Sequence, residues 1–117
     1  MSNNVIWTVE AKIRPGQREA FDAVMHDLIA ASQQEAGTIN YEWTLGADET
    51  TVHVYERYAD ADAATAHLGT WGPNAERFAA AAEVTRFVVF SELTPALRDA
   101  VAGLQPVYMT PFGGFAK

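Results

Sequence analysis

A predicted β-hairpin that leads directly into a helix constrains the fold of this chain more than any other feature. Residues 38–45 and 50–58 alternate with the period of two that is typical of strands, and the turn between them contains glycine and aspartate. Residues 61–68 then predict a short helix, because Asp60 before them is a good N-cap. This order brings the aromatic side chains of the hairpin towards His67 of the helix, and it predicts a small cavity between them.

The remaining segments extend the hairpin to the order β-α-β-β-α-β. Residues 4–13 and 84–93 are rich in β-branched and aromatic residues and predict the first and fourth strands. Residues 17–35 carry apolar side chains at helical spacing, and Gly37 is expected to end this helix in the left-handed conformation. Residues 74–82 predict another helix. The chain therefore predicts an α+β ferredoxin-like sandwich with a four-stranded antiparallel sheet.

Alternation also assigns the side chains of each strand to its two faces, although it does not reveal which face meets the helices. The second strand places four apolar side chains on one face: Ile39, Tyr41, Trp43 and Leu45. The third strand places Val52, Val54, Glu56 and Tyr58 on one face and Thr51, His53, Tyr55 and Arg57 on the other.

Length and composition indicate one globular domain, since the chain has 117 residues, of which 49% are hydrophobic and 20% charged. We assign residues 1–93 to the ferredoxin-like unit and residues 94–117 to a C-terminal helix and aromatic tail. The formal net charge of −7 makes nucleic acid and anionic membranes poor partners. No apolar run approaches the length that spans a membrane, and the chain has no cysteine, so we expect a cytoplasmic protein.

A homodimer is expected because helices can cover only one face of the predicted sheet. The first and fourth strands carry apolar side chains on both faces, among them Ile6, Val88 and Phe90 on the face away from Trp7 and Phe87. A second copy of the sheet is the simplest cover for such a face. The aromatic tail is expected to pack on the partner subunit.

The segments Gly-Thr-Ile-Asn-Tyr-Glu-Trp (37–43) and Val-Tyr-Glu-Arg-Tyr-Ala-Asp-Ala-Asp-Ala-Ala (54–64), with the Ala-His-Leu that follows (66–68), resemble the antibiotic biosynthesis monooxygenase, or quinol monooxygenase-like, family. The resemblance covers roughly residues 4–93. It implies a homodimer of ferredoxin-like subunits, a dimeric α+β barrel, with a pocket between sheet and helices. It also implies oxidation of a quinol or polycyclic phenol by dioxygen with no metal, flavin or other cofactor.

His67 matches the histidine that the family places on its second helix, and it is the predicted catalytic base. A closed-shell phenol reacts slowly with triplet oxygen, whereas its anion can pass an electron to oxygen. An imidazole is a suitable base for making that anion at neutral pH. The alternative is a histidine that only packs against the sheet or faces solvent.

Four aromatic residues are the predicted walls of a flat substrate pocket: Tyr41, Trp43, Tyr55 and Trp71. Trp71 follows the His67 helix and is expected to be a movable wall. Asn74 is a candidate donor to a substrate oxygen. Each of these residues also has a simpler structural interpretation. The four aromatic residues could be part of the hydrophobic core, and Asn74 could be a polar residue in the first turn of a helix.

His53 becomes a second base or an orienting group if its strand face lines the pocket, and a buried interface residue if it does not. Glu56 and Arg86 lie in apolar strands, and we expect them to pair or to join a buried network, because a lone buried charge is costly. The three histidines lack the close spacing of metal ligands, so no metal site is predicted.

Three other functions stay open at this stage. The same histidine could shuttle a proton in a cofactor-free isomerase of a small carbonyl compound. The chain could instead be a dimeric ligand-binding domain without catalysis. Haem degradation is a weaker alternative, because family members with that activity carry a tryptophan before their helix histidine and Trp71 follows His67 here.

Overall fold

The computed structural model describes residues 2–117 and has the predicted order of elements with one additional strand. The elements are β1 (Val5–Ile13), α1 (Arg18–Ser32), β2 (Thr38–Leu45), β3 (Thr51–Tyr58), α2 (Ala61–Trp71), α3 (Ala75–Ala81), β4 (Ala82–Val89), α4 (Pro95–Val101) and β5 (Val107–Tyr108). The strand order in the sheet is β2-β3-β1-β4-β5. The first four strands are antiparallel, and β5 adds in parallel to β4. The predicted ferredoxin-like α+β fold is confirmed, with a five-stranded mixed sheet.

The fifth strand lies in the C-terminal segment that we expected to pack on a partner. Its two residues pair with Val88 and Val89 of the same chain. The preceding helix α4 also packs on the chain's own core, where it buries Leu97 and Val101. Two residues are too short to show an alternating pattern, so sequence analysis missed β5. Beyond it, Phe112 and Phe115 are exposed to solvent.

The core lies between one face of the sheet and the helices, and alternate residues of each strand point into it. In β1 these include Val5, Trp7 and Ala11, and in β3 they are Val52, Val54, Glu56 and Tyr58. Helix α1 contributes Phe21, Val24 and Leu28, as its apolar spacing predicted. The faces that alternation assigned to β1 and β3 are therefore correct, and the face that includes Glu56 is the one that meets the helices.

Two glycines act differently from the sequence-based expectation. Helix α2 begins after Asp60, whose side chain accepts from the Ala63 amide at 2.9 Å as predicted, but it passes through Gly69 and ends at Trp71. One helical glycine costs only about 1 kcal/mol, which packing readily offsets. Gly37 has no left-handed backbone. A Cβ added there would lie 2.4 Å from the Ala63 Cβ, so glycine is needed for close approach to α2.

A β-bulge in β2 changes the predicted position of Ile39. Thr38 pairs with Tyr58 and Asn40 with Arg57, which leaves Ile39 as an extra residue that is half exposed. Ile39 therefore does not share the core with Tyr41 as expected.

The helix-free face of the sheet is more polar than we expected. Glu10 lies 3.6 Å from His53 and 3.9 Å from Arg86 on this face. The same face also carries Phe90 and Tyr55, which are 41% and 39% exposed. No helix within residues 2–117 combines the length and apolar character needed to cross a membrane.

Candidate functional site

His67 is held by the second turn of α2 against the sheet, and only 2% of its surface is exposed. Its ring packs between two phenol rings, with centroid distances of 5.0 Å to Tyr41 and 5.1 Å to Tyr58. Each ring nitrogen faces a different carboxyl group. This placement excludes the alternative in which His67 faces solvent.

Glu35, in the loop after α1, binds one side of the imidazole. Its Oε1 lies 3.0 Å from His67 Nδ1, and it also accepts a hydrogen bond from the Thr38 hydroxyl at 2.8 Å, while Oε2 accepts from the Thr70 hydroxyl. Burial acts to raise the pKa of Glu35, but the hydrogen bonds from Thr70, Thr38 and His67 outweigh it and the net pKa is lowered. Glu35 is therefore ionised and fixes the imidazole through Nδ1.

Glu56 lies on the other side of the imidazole, on the core face of β3. Its Oε1 is 3.4 Å from His67 Nε2 and accepts hydrogen bonds from Trp7 Nε1 at 2.9 Å and from the Tyr58 hydroxyl. Burial raises the pKa of Glu56, against the opposing effects of His67, Tyr58 and Trp7. The imidazole thus lies between an ionised carboxylate and a carboxyl group that burial shifts towards its protonated form.

A cavity adjoins this cluster between the sheet and α2, α3 and the turn at residues 102–104. Both Glu56 and His67 line it, and the remaining lining is apolar. Six aromatic rings form most of its wall: Trp7, Tyr41, Trp43, Trp71, Phe78 and Phe87. Trp71 lies one helical turn after His67 and contacts the Phe78 ring at 5.1 Å. The hairpin and α2 therefore do converge on one space.

The free volume of this cavity is about 40 Å³. A buried water needs about 10–15 Å³ of such free volume, so the space matches about three water molecules or one dioxygen. A bicyclic aromatic ligand is larger. Seven of the lining side chains are partly exposed, among them Trp71 and Leu104 at the rim of the cavity.

Trp43 has a buried indole N–H without a partner, the one such side-chain atom that the described part of the chain contains. Leaving a buried donor unpaired costs about 1–3 kcal/mol. Trp43 lines the cavity.

Three predicted site residues do not reach the cavity. His53 and Tyr55 lie on the helix-free face, because they are out of phase with Val54 and Glu56 on β3, and His53 instead faces Glu10. Asn74 donates to the Thr70 carbonyl at 3.0 Å and serves the turn between α2 and α3.

Sequence analysis underestimated the carboxyl groups. Glu56 was interpreted as structural, yet it interrupts the apolar face of β3, which is the signal that could have identified it. Arg86 was expected to pair or to join a buried network. It pairs with Glu10, its cross-strand neighbour, at 3.9 Å, but on the helix-free face and outside the buried cluster. Glu35 carries no local signal, because only the tertiary fold brings the end of α1 to α2.

The carboxyl groups do not form a metal site. Glu35 and Glu56 lie on opposite sides of the imidazole and do not converge on one point, and the described residues contain no group of three or more acidic or histidine side chains placed to hold a metal ion. The arrangement instead provides a base that a carboxylate orients, with a second carboxyl group beside it. Such a set can remove a proton from a ligand and return one.

Comparisons with known proteins agree with this fold. The sequence model of the antibiotic biosynthesis monooxygenase family matches residues 5–84. The structure of MupZ from Pseudomonas fluorescens is similar, with a TM-score of 0.86 and 25% identity over 100% of this chain and 91% of that one. No curated protein sequence gives a significant match.

Two further structures share the fold at lower identity. SnoaB, a cofactor-independent oxygenase from Streptomyces nogalater, has a TM-score of 0.67 and 16% identity over 80% of this chain and 96% of its own. Rv0793 from Mycobacterium tuberculosis has a TM-score of 0.66 and 23% identity over 80% of this chain and 98% of its own.

Proposed function

The chain belongs to the antibiotic biosynthesis monooxygenase family, and on that premise we propose that it is a cofactor-independent monooxygenase that oxidises a phenol or quinol with dioxygen. The observation that carries this proposal is the buried imidazole of His67, oriented by Glu35 in the wall of an aromatic cavity. The similarity to SnoaB, itself a cofactor-independent oxygenase, supports the reaction class.

The proposed reaction begins when His67 removes the hydroxyl proton of the substrate. The phenolate passes one electron to dioxygen, and the superoxide joins the ring carbon opposite the oxygen to give a peroxide. Protonation of the peroxide, loss of the proton on that carbon and cleavage of the O–O bond release water and leave a quinone. Two protons leave the substrate and two enter water, so the step needs a base and an acid but no external reductant.

The lining of the cavity favours an uncharged substrate. Within residues 2–117 it contains no lysine or arginine, and its titratable side chains are Tyr41, Glu56 and His67. A carboxylate or phosphate would meet the ionised Glu35 behind His67 and lose its hydration without a cation in return. A neutral hydroxyarene loses little hydration and gains contact with the aromatic walls.

Entry of such a ring needs a larger space than the free volume of about 40 Å³. We infer that Trp71 and Leu104 at the rim move apart when the substrate binds. The indole N–H of Trp43, which has no partner among the described residues, is then the donor for the oxygen that becomes the quinone carbonyl.

Oxygen uptake with 1-naphthol tests the proposal. One dioxygen should be consumed for each 1,4-naphthoquinone formed, and the variant His67→Gln should be slower by a factor of about 100 or more. His53→Gln is the matched control, because His53 lies on the opposite face of the sheet. Equal rates for wild type and His67→Gln, or no uptake with any of several naphthols and hydroquinones, would contradict the proposal.

A second function is favoured by the position of Glu56. A protonated carboxyl group beside a basic imidazole also suits isomerisation of a small carbonyl compound, in which one group removes a proton and the other returns it. Turnover that proceeds without oxygen and incorporates solvent deuterium would favour this reaction over the monooxygenase.

We also propose that the protein is a cytoplasmic homodimer. Phe90 and Tyr55 on the helix-free face are partly exposed, and the same face carries Glu10 and Arg86 with opposite charges. A two-fold axis can pair such a surface with itself. Sedimentation equilibrium at micromolar concentration should give twice the chain mass of 12.8 kDa, and a monomer would refute this part of the proposal.

A further inference from the structure

Glu56 is a buried carboxyl group at the cavity that the proposed base chemistry leaves without a role. It faces His67 on one side and the cavity on another. We propose that Glu56 and His67 share one proton at the cavity wall and act as acid and base in the same turnover, while Glu35 is a positioning residue. The chemical part of this inference rests on the proposed function, whereas the shared proton does not.

Glu35 determines the tautomer of the imidazole. Glu35 Oε1 lies 3.0 Å from Nδ1 and also accepts from the Thr38 hydroxyl, so it acts as an acceptor only. Nδ1 must therefore carry a proton. The Ser32 hydroxyl, at 3.4 Å from the same nitrogen, can accept as well.

Glu56 faces the other ring nitrogen. With Nδ1 protonated, Nε2 of a neutral imidazole is an acceptor, and it faces Glu56 Oε1 at 3.4 Å. Two acceptors at this distance repel each other unless one of them carries a proton. One proton must therefore lie on either Nε2 or the Glu56 carboxyl, and both distributions give the three groups the same net charge.

The surroundings of Glu56 favour such sharing. The Glu56 side chain is 7% exposed, and burial raises its pKa. Its Oε1 accepts from Trp7 and Tyr58, which stabilises the ionised form as well. The other titratable groups that face it, Tyr41 and Tyr58, have their pKa raised by burial and by Glu56, so they remain neutral and do not take part.

The distance of 3.4 Å between Nε2 and Glu56 Oε1 exceeds the 2.7–2.9 Å or so of a strong charge-assisted hydrogen bond. Neither group is therefore held by a strong hydrogen bond to the other, and both remain able to contact a ligand in the cavity. In the proposed turnover, His67 accepts the hydroxyl proton of the substrate and Glu56 donates a proton to the peroxide. The proton on Nε2 then moves to Glu56, which restores both groups. The same exchange repeats when the ring carbon loses its proton and the oxygen released by O–O cleavage gains one to form water.

Nuclear magnetic resonance of histidine-labelled protein tests the shared proton without any substrate. The two nitrogens of each ring are resolved by long-range ¹H–¹⁵N correlation, and His26→Gln and His53→Gln assign the other two rings. We expect the proton of His67 to lie on Nδ1 at neutral pH. In Glu56→Gln the ¹⁵N chemical shift of Nε2 at the same pH should move towards that of an unprotonated ring nitrogen, because the partner for the shared proton is lost.

The control for this measurement is Glu42→Gln, since Glu42 is exposed on the other face of the sheet. It should leave the ¹⁵N chemical shifts of His67 unchanged. A His67 that carries its proton on Nε2 with Nδ1 bare, or an Nε2 chemical shift that is identical in Glu56→Gln and wild type, would overturn the shared proton. Circular dichroism checks the fold of Glu56→Gln, whose amide oxygen can still accept from Trp7 and Tyr58.

The separate roles of acid and base are tested with 1-naphthol. Without oxygen, the absorbance of the bound naphtholate reports proton removal by His67, and we expect Glu56→Gln to retain it. With oxygen, Glu56→Gln should consume oxygen more slowly by about 100-fold, because general acids typically contribute about 10²–10⁴-fold. Oxygen uptake within about threefold of wild type, or loss of the naphtholate in Glu56→Gln, would overturn the role of the acid.

Glu35→Gln should behave differently, since it loses the charge that stabilises the imidazolium. We expect it to lower both naphtholate formation and oxygen uptake, and full naphtholate formation would refute its positioning role. Failure of the proposed function itself is recognisable, because wild type would then form no naphtholate and consume no oxygen with naphthol. The ¹⁵N chemical shifts of His67 would still decide whether the proton is shared.

Discussion

Replacing Gly37 with alanine tests how the loop before β2 positions Glu35 against His67. A methyl group there would lie 2.4 Å from the Ala63 Cβ in the first turn of α2, whereas an ordinary contact begins near 3.4 Å. The two segments must therefore separate by about 1 Å (3.4 − 2.4), which packed cores resist. The Gly37 carbonyl accepts a hydrogen bond from the Ala59 amide at 2.8 Å. This bond holds the loop at the C-terminal end of β3 and opposes its displacement.

The expected cost follows from overpacking, which typically destabilises by about 1–3 kcal/mol. Ala63→Gly removes the methyl group that clashes and by itself costs about 1 kcal/mol as a helical glycine. In the double variant the two changes compensate. We expect it to be more stable, by a coupling energy of about 1–2 kcal/mol, than the sum of the two single changes would give. The displacement also reaches Glu35, two residues before Gly37, so the 3.0 Å contact with His67 Nδ1 should lengthen in Gly37→Ala and recover in the double variant.

Urea denaturation of the four proteins gives the coupling energy, and the Nδ1 proton resonance of His67 reports the contact with Glu35. Strictly additive changes in the free energy of unfolding, with a coupling below about 0.5 kcal/mol, would refute the close-approach argument. An unchanged His67 resonance in Gly37→Ala would show that the loop does not position Glu35 against His67.

Three further predictions concern single side chains. Glu35 has a lowered pKa because hydrogen bonds from Thr70, Thr38 and His67 outweigh burial, so its charge stabilises the fold above its ordinary pKa of 4.5 and this contribution is lost as the pH falls. In urea denaturation the difference in free energy of unfolding between wild type and Glu35→Gln should therefore become smaller in acid, and a difference that does not depend on pH would contradict this. Trp71→Ala removes a wall of the cavity and should weaken 1-naphthol binding about tenfold, or about 1.4 kcal/mol, by fluorescence titration, whereas unchanged affinity would place the ligand elsewhere. His53→Gln should leave oxygen uptake within about twofold of wild type, because His53 faces away from the cavity, and a large loss would mean that the helix-free face carries the site.

Much of the fold could be predicted from alternation and helical spacing, because these patterns record burial on one face. The stripe of α1, the two faces of β3 and the cap at Asp60 are all local features, and each is correct. The bulge at Ile39 and the short strand β5 could not be predicted in this way. They depend on pairing with distant strands, which leaves no periodic signal in one sequence.

The candidate site was predictable only in part for the same reason. His67, Tyr41 and Trp43 do converge, since the hairpin and α2 are adjacent in sequence and in space. His53 was open to either interpretation, because alternation gives two faces without naming the buried one. Glu35 is separated from His67 by 32 residues, and only the packing of α1 against α2 brings the two together.

The central claim is that a ligand binds in the cavity beside His67. Titration of the ¹⁵N-labelled protein with 1-naphthol under anaerobic conditions tests it most directly, because each tryptophan indole and each histidine ring gives its own signal. We predict that the resonances of Trp43, Trp71 and His67 shift together with one affinity, while His53 remains unchanged. Shifts confined to His53 and the helix-free face, or no shift at any of these rings, would contradict the account.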